Sequence, residues 1–165
     1  MRRWVPTLLF LVLAAGLLWP APAASASGTW AWPVVGPVIR PFDPPASPYG
    51  SGHRGIDIGA PYGTQVLSPA PGVVTFAGPV GGRFFVSVDH GGGMASTYSW
   101  VSGVALRKGD AVSVGTVLAW TGEGHPGSSL PHLHFGVKRD GAYIDPLDVL
   151  SPGSVVGLIR LAPLT

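Results

Sequence analysis

Apolar residues along this chain recur in short runs with a period of two. In Arg83-Phe84-Phe85-Val86-Ser87-Val88-Asp89, the residues Phe84, Val86 and Val88 fall on one face, the alternation of a half-buried strand. Similar runs, separated by turn residues such as Gly, Pro and Asp, predict strands at Ile56–Ile58, Gln65–Leu67, Val73–Phe76, Phe84–Val88, Ala95–Trp100, Val117–Trp120 and His132–Val137. A Pro-rich entry from Pro33 to Pro48 carries Val34, Val35, Val38, Ile39 and Phe42, which predicts an edge strand followed by an ordered turn. One helical turn is expected, at Asp145–Leu150, with Asp145 as N-cap and Pro146 at the first helical position. Two segments resemble each other, each read as a strand, a tight Gly turn and a second strand: Gly63-Thr64-Gln65-Val66 leads into Pro71-Gly72-Val73-Val74, and Gly109-Asp110-Ala111-Val112 leads into Gly115-Thr116-Val117-Leu118.

Composition narrows this to an all-β domain. The 165 residues include 25 Gly and 18 Pro, and beyond Gly28 the longest stretch free of both is Met94 to Ser102, too short for an average helix. Disorder is excluded by 46% hydrophobic and only 11% charged residues. The first 26 residues read separately. Arg2 and Arg3, the apolar run Val5 to Trp19, and Ala24-Ser25-Ala26 form the three regions of a secretory signal peptide, with cleavage expected after Ala26. Fifteen residues at about 1.5 Å each reach only ~22 Å, short of the ~30 Å hydrocarbon core, so no stable membrane span is expected in the mature protein. Without Arg2 and Arg3 the chain balances eight basic against eight acidic residues, and a neutral surface gives no electrostatic case for nucleic acid. The absence of cysteine leaves neither a disulfide nor a lipid-modified thiol. The expected organisation is signal peptide 1–26, one domain at 27–150, and an apolar, unpatterned tail at 151–165.

Three histidines and an aspartate carry the candidate chemistry, in Gly52-His53-Arg54-Gly55-Ile56-Asp57 and Pro131-His132-Leu133-His134-Phe135. On a strand, His132 and His134 project to one side while Leu133 and Phe135 enter the core. Ile56 and Ile58 face inward and leave Asp57 on the polar side. Two imidazoles and one carboxylate are the complement of a catalytic zinc site with a fourth position open. One of the paired histidines would bind the metal and the other sit beside it.

These motifs, with Trp32-Pro33, Val73-Val74-Thr75-Phe76-Ala77-Gly78 and Lys108-Gly109-Asp110-Ala111-Val112, resemble the lysostaphin-type peptidoglycan metalloendopeptidases over about Trp30 to Leu150. The resemblance implies an antiparallel β-sheet domain of the duplicated hybrid motif type. It implies one Zn2+ held by His53, Asp57 and His134, with His132 as general base. It also implies an exported enzyme, extracellular or wall-associated, that hydrolyses stem or cross-bridge peptides of peptidoglycan. One position departs from the family pattern. Thr97-Tyr98-Ser99-Trp100 puts Trp where a second catalytic histidine is expected, and losing one oxyanion donor costs ~10²–10³ in rate. Trp100 and Tyr98, two apart and so on one face, are expected to line the substrate groove. The departure keeps open a second reading, a non-catalytic module that binds peptidoglycan or regulates another hydrolase. His90 and His125 are read as loop residues.

Overall fold

The computed structural model describes residues 29–47 and 50–150. The expected signal peptide and C-terminal tail lie outside the described residues, as does Pro48 in the Pro-rich turn. Ten strands follow in chain order: β1 (Val38–Arg40), β2 (Ile56–Gly59), β3 (Gln65–Leu67), β4 (Gly72–Val80), β5 (Arg83–Gly91), β6 (Met94–Val104), β7 (Ala111–Val112), β8 (Val117–Thr121), β9 (His132–Arg139) and β10 (Ala142–Ile144). All pairings are antiparallel, and the main path runs β1-β2-β9-β6-β5-β4-β7. Strand β10 extends the pairing of β9, and β8 joins β6 to β3.

Every expected strand is present, and the expected all-β class holds. The strands continue beyond their predicted ends in β4, β5 and β6, because the flanking turn residues Gly78, Pro79, Gly91 and Gly103 are accommodated inside the strands. Strand β7 is the first strand of the second similar segment, and one short strand, β10, was not expected. The expected helical turn is shorter than its sequence pattern, a 3-10 turn at Pro146–Asp148, capped by Asp145, whose side chain accepts from the Leu147 amide at 2.9 Å.

The two similar segments pair with each other rather than with themselves. The first strand of one, β3, lies against β8 from the other, and β7 lies against β4. Ile56, Ile58, Val86, Val88, Tyr98, Leu118, Leu133 and Phe135 form the centre of the core. Burial of each such side chain contributes about 1.5–3 kcal/mol, which fixes strand register: a slip of one residue would exchange the core face for the polar face. That register sets Asp57 directly opposite His134, and His134 opposite Ser99, on neighbouring strands β2, β9 and β6.

Candidate metal centre

Asp57 organises the site. It lies on β2 between the fully buried Ile56 and Ile58, and although it is on the polar face it is only 1% exposed, because imidazoles surround it. Its Oδ1 is 3.0 Å from His53 Nε2 and 2.9 Å from His134 Nδ1, and those two ring nitrogens are 3.0 Å from each other. Its Oδ2 faces two other imidazoles: His125 Nε2 at 2.9 Å and His132 Nε2 at 3.9 Å. The carboxylate therefore divides four histidines into two pairs.

Local structure holds each ring. His53 precedes β2 and is bridged to Asp43 by two backbone hydrogen bonds, and its Nδ1 lies 2.7 Å from the Pro41 carbonyl. A carbonyl can only accept, so Nδ1 carries the proton of the neutral ring and Nε2 turns its lone pair toward Asp57 and His134. Close packing underlies this entry: a Cβ at Gly55 would collide with the Phe135 carbonyl on β9. His132 is fastened in the same way, with Nδ1 2.8 Å from the Leu130 carbonyl, so that its Nε2 is the unprotonated acceptor and takes the His125 backbone N–H at 3.3 Å.

The electrostatics follow from these contacts. Burial pushes the Asp57 carboxyl up, but the surrounding imidazoles of His134, His53 and His125 outweigh it and hold the group well below the usual carboxylate range. Burial lowers the His53 pKa, opposed by its bond to Pro41 and by Asp57, and favours the neutral ring that a metal requires. On the Oδ1 side, three electron-pair donors stand 2.9–3.0 Å apart. Zinc bonds of ~2.0–2.1 Å in a tetrahedron would separate them by about 3.3 Å. The triangle of His53, Asp57 and His134 thus has the chemistry and nearly the size of one face of a metal tetrahedron.

The structure gathers His53, Asp57 and His134 with His125, from the loop between β8 and β9, into one group of potential metal donors, and brings the expected His132 to 3.9 Å from Asp57. His125 was read as a connecting position. His90, also read as a loop residue, is buried at the end of β5, with Nδ1 2.8 Å from the Pro71 carbonyl, Nε2 2.8 Å from Ser96 Oγ and its ring 4.5 Å from that of Trp30.

The expected groove pair separates. Tyr98 is 0% exposed and packs on Phe135 in the core, so it lines no groove. Trp100 is an extra residue in β6, where Phe85 pairs with Ser99 and Phe84 with Val101, and it takes a φ of 64°. This bulge breaks the two-residue parity that placed Tyr98 and Trp100 on one face. The Trp100 ring sits 6.4 Å from Phe85 and 6.2 Å from His125. A groove of about 350 Å³ does reach the site, bordered by Phe76, Phe85, Thr97, Ser99, Lys138 and Tyr143, with His134 in its wall.

Comparison with known proteins agrees with this geometry. Residues 51–146 match the model of peptidase family M23. An uncharacterized protein of Mycobacterium tuberculosis is 36% identical over 162 residues, covering 94% of this chain and 63% of its own length. The DD-carboxypeptidase/endopeptidase Mpg of Neisseria meningitidis is 36% identical over 101 residues, which is 61% of this chain and 23% of that protein. The chain thus spans less than two thirds of the curated relatives it matches. Among solved structures, Helicobacter pylori Csd3 superposes with a TM-score of 0.65 at 28% identity, covering 78% of this chain and 36% of that one. The Asp57-centred site lies within the matched residues, and the chain belongs to peptidase family M23, in keeping with its resemblance to the lysostaphin-type enzymes.

Proposed function

We propose that this chain is an exported zinc endopeptidase that hydrolyses peptide cross-links of bacterial peptidoglycan, with residues 1–26 as its signal peptide and 27–150 as its catalytic domain. The observation that carries the reading is the division of imidazoles about Asp57: a ligand-like pair on Oδ1, and on Oδ2 an imidazole, His132, with an unprotonated Nε2. His53, Asp57 and His134 would hold one zinc ion, which when bound supplies a Lewis acid for the peptide carbonyl and lowers the pKa of water. His132 takes the proton of the attacking water on Nε2 and returns it to the departing amine, while its Nδ1–H bond to Leu130 keeps the ring in the required tautomer. A peptide would lie along the groove, its extended backbone against Thr97 and Ser99 and its side chains against Phe76, Phe85 and Tyr143. The name of the Neisseria relative, a carboxypeptidase and endopeptidase, supports peptide hydrolysis. Among the described residues no helix is long and apolar enough to cross a membrane.

The test is digestion of purified peptidoglycan by the full chain carrying one equivalent of zinc, with new amino groups counted. Their release in proportion to enzyme and time is the expected result. Sedimentation with the wall without any release would overturn the peptidase reading and favour the binding module.

A further inference from the structure

Of the two imidazoles on the Oδ2 side of Asp57, the reading above uses only His132. His125 is held with comparable care. Its Nε2 is 2.9 Å from Asp57 Oδ2, its Nδ1 is 3.0 Å from the Pro126 carbonyl, and its own backbone N–H donates to His132 Nε2 at 3.3 Å. The ring stands edge-on to that of His132 at 4.7 Å, and Trp100 backs it at 6.2 Å, with the Arg83 guanidinium 5.3 Å over the Trp100 ring. The approach depends on Gly124, at φ 88°, since a Cβ there would run into the His132 imidazole. The loop is thus fitted against the His132 ring.

His125 is not placed as a metal ligand. The ligand-like atoms of His53, Asp57 and His134 contact one another at 2.9–3.0 Å around Oδ1, whereas His125 touches Asp57 through the other oxygen. Taken with His125, the donor atoms form a looser set, within 4.8 Å of one another. The Pro126 carbonyl and the Asp57 carboxylate oxygen can both only accept, and in the tautomer that bonds the carboxylate, the shorter contact, Nε2 of His125 is a hydrogen-bond donor beside His132 Nε2, which is an acceptor. One proton acceptor and one donor, side by side next to a metal-ligand carboxylate, match the two needs of amide hydrolysis.

We infer that His125 is a second catalytic imidazole, which donates from Nε2 to the scissile carbonyl oxygen as that oxygen gains charge; the inference rests on the proposed peptidase reading. Water oxygen bonds to the carbonyl carbon, its proton passes to His132 Nε2, and the carbonyl π pair moves onto the oxygen that His125 faces. On collapse that pair reforms the C=O bond, the C–N bond breaks, and the nitrogen takes the proton held by His132. The products are a carboxylic acid, which ionises in water, and an amine. An imidazole delivered by the loop thereby supplies the chemistry that Trp100 on β6 cannot.

The experiment compares the full chain with His125→Ala and His125→Gln in three measurements: zinc stoichiometry, kcat and KM on wall peptides, and affinity for a phosphinate pseudopeptide, a stable tetrahedral mimic of the addition product. In His125→Ala one zinc is retained, kcat falls ~10²-fold with KM little changed, and phosphinate affinity falls by a similar factor. His125→Gln, which keeps an N–H donor, recovers part of both losses. Substoichiometric zinc in His125→Ala would instead make His125 a ligand. An increased rate would make it a latch on the site, and unchanged kcat and phosphinate affinity would make it a bystander; any of these three results overturns the inference. If the unmodified protein leaves the wall intact but binds phosphinate through His125, the substrate reading fails and the role of His125 stands. If it neither cleaves nor binds, both fall.

Discussion

His90 and His53 are buried to similar extents, and each fastens Nδ1 to a proline carbonyl, that of Pro71 for His90 and that of Pro41 for His53. Burial lowers the pKa of both. They differ in what Nε2 meets. For His90 it is the hydroxyl of Ser96, a neutral partner that can donate and so complete the ring's hydrogen bonding. For His53 it is a carboxylate oxygen and a second imidazole, neither of which satisfies a lone pair without a proton or a cation between them. Burial and a fixed tautomer are therefore insufficient marks of a metal-binding histidine. The convergence of electron-pair donors on a common point is the discriminating feature.

The sharpest way to break this contrast is to remove a member of the Oδ1 triangle. Asp57→Ala or His134→Ala should abolish stoichiometric zinc binding and with it all wall cleavage, since two remaining ligands hold a catalytic metal poorly; full zinc by elemental analysis in either variant would refute the triangle. Next in size, His132→Ala should keep one zinc and lose cleavage by ~10²-fold or more. Loss of zinc in that variant would move His132 to the ligand side of Asp57. His90→Ala tests the other pole. It should leave zinc stoichiometry intact while lowering unfolding free energy by ~1–3 kcal/mol, through the partners left at Pro71 and Ser96, as read by urea denaturation of the metal-free protein.

The smallest effect is a pH slope. With burial holding its folded pKa below the ordinary imidazole value of 6.5, His90 binds protons more readily in the unfolded chain. Stability should therefore fall as pH drops from 6.5 toward the folded pKa and level off below it. His90→Gln should show a shallower decline over the same interval in metal-free protein, and an identical slope would assign the proton uptake elsewhere.

Much of this contrast could be read from residue order, and the remainder could not for identifiable reasons. The strands that bear His134, His132 and Asp57 announce themselves because Leu133, Phe135, Ile56 and Ile58 alternate with them and are core residues. Strand β10, three residues long, is too short to display any period. Parity failed at Tyr98 and Trp100 because a bulge is a property of pairing with β5, and a bulky residue at positive φ is strained by roughly 1–2 kcal/mol and unexpected from composition. His125 lies in a loop with no periodicity to fix its direction. Its one signal is a histidine flanked by Gly124, Pro126 and Gly127, just upstream of the strand that holds His132. His90 looked exposed because Gly91, Gly92 and Gly93 follow it, although the side chain turns under Trp30.

The exchanged pairing of β3 with β8 and of β4 with β7 bears on how the molecule comes into being. Neither similar segment can complete its hydrogen bonding alone, and the His53–His134 contact closes across 81 positions of sequence. Such topologies tend to fold slowly, because chain entropy is spent before distant contacts repay it. A chain still emerging from the ribosome, or one cut ahead of β9, would possess neither half of the His132 and His134 pair. Proteolytic potential would then appear abruptly with the last strands rather than grow with length, and metal uptake would serve as a clock for the end of folding.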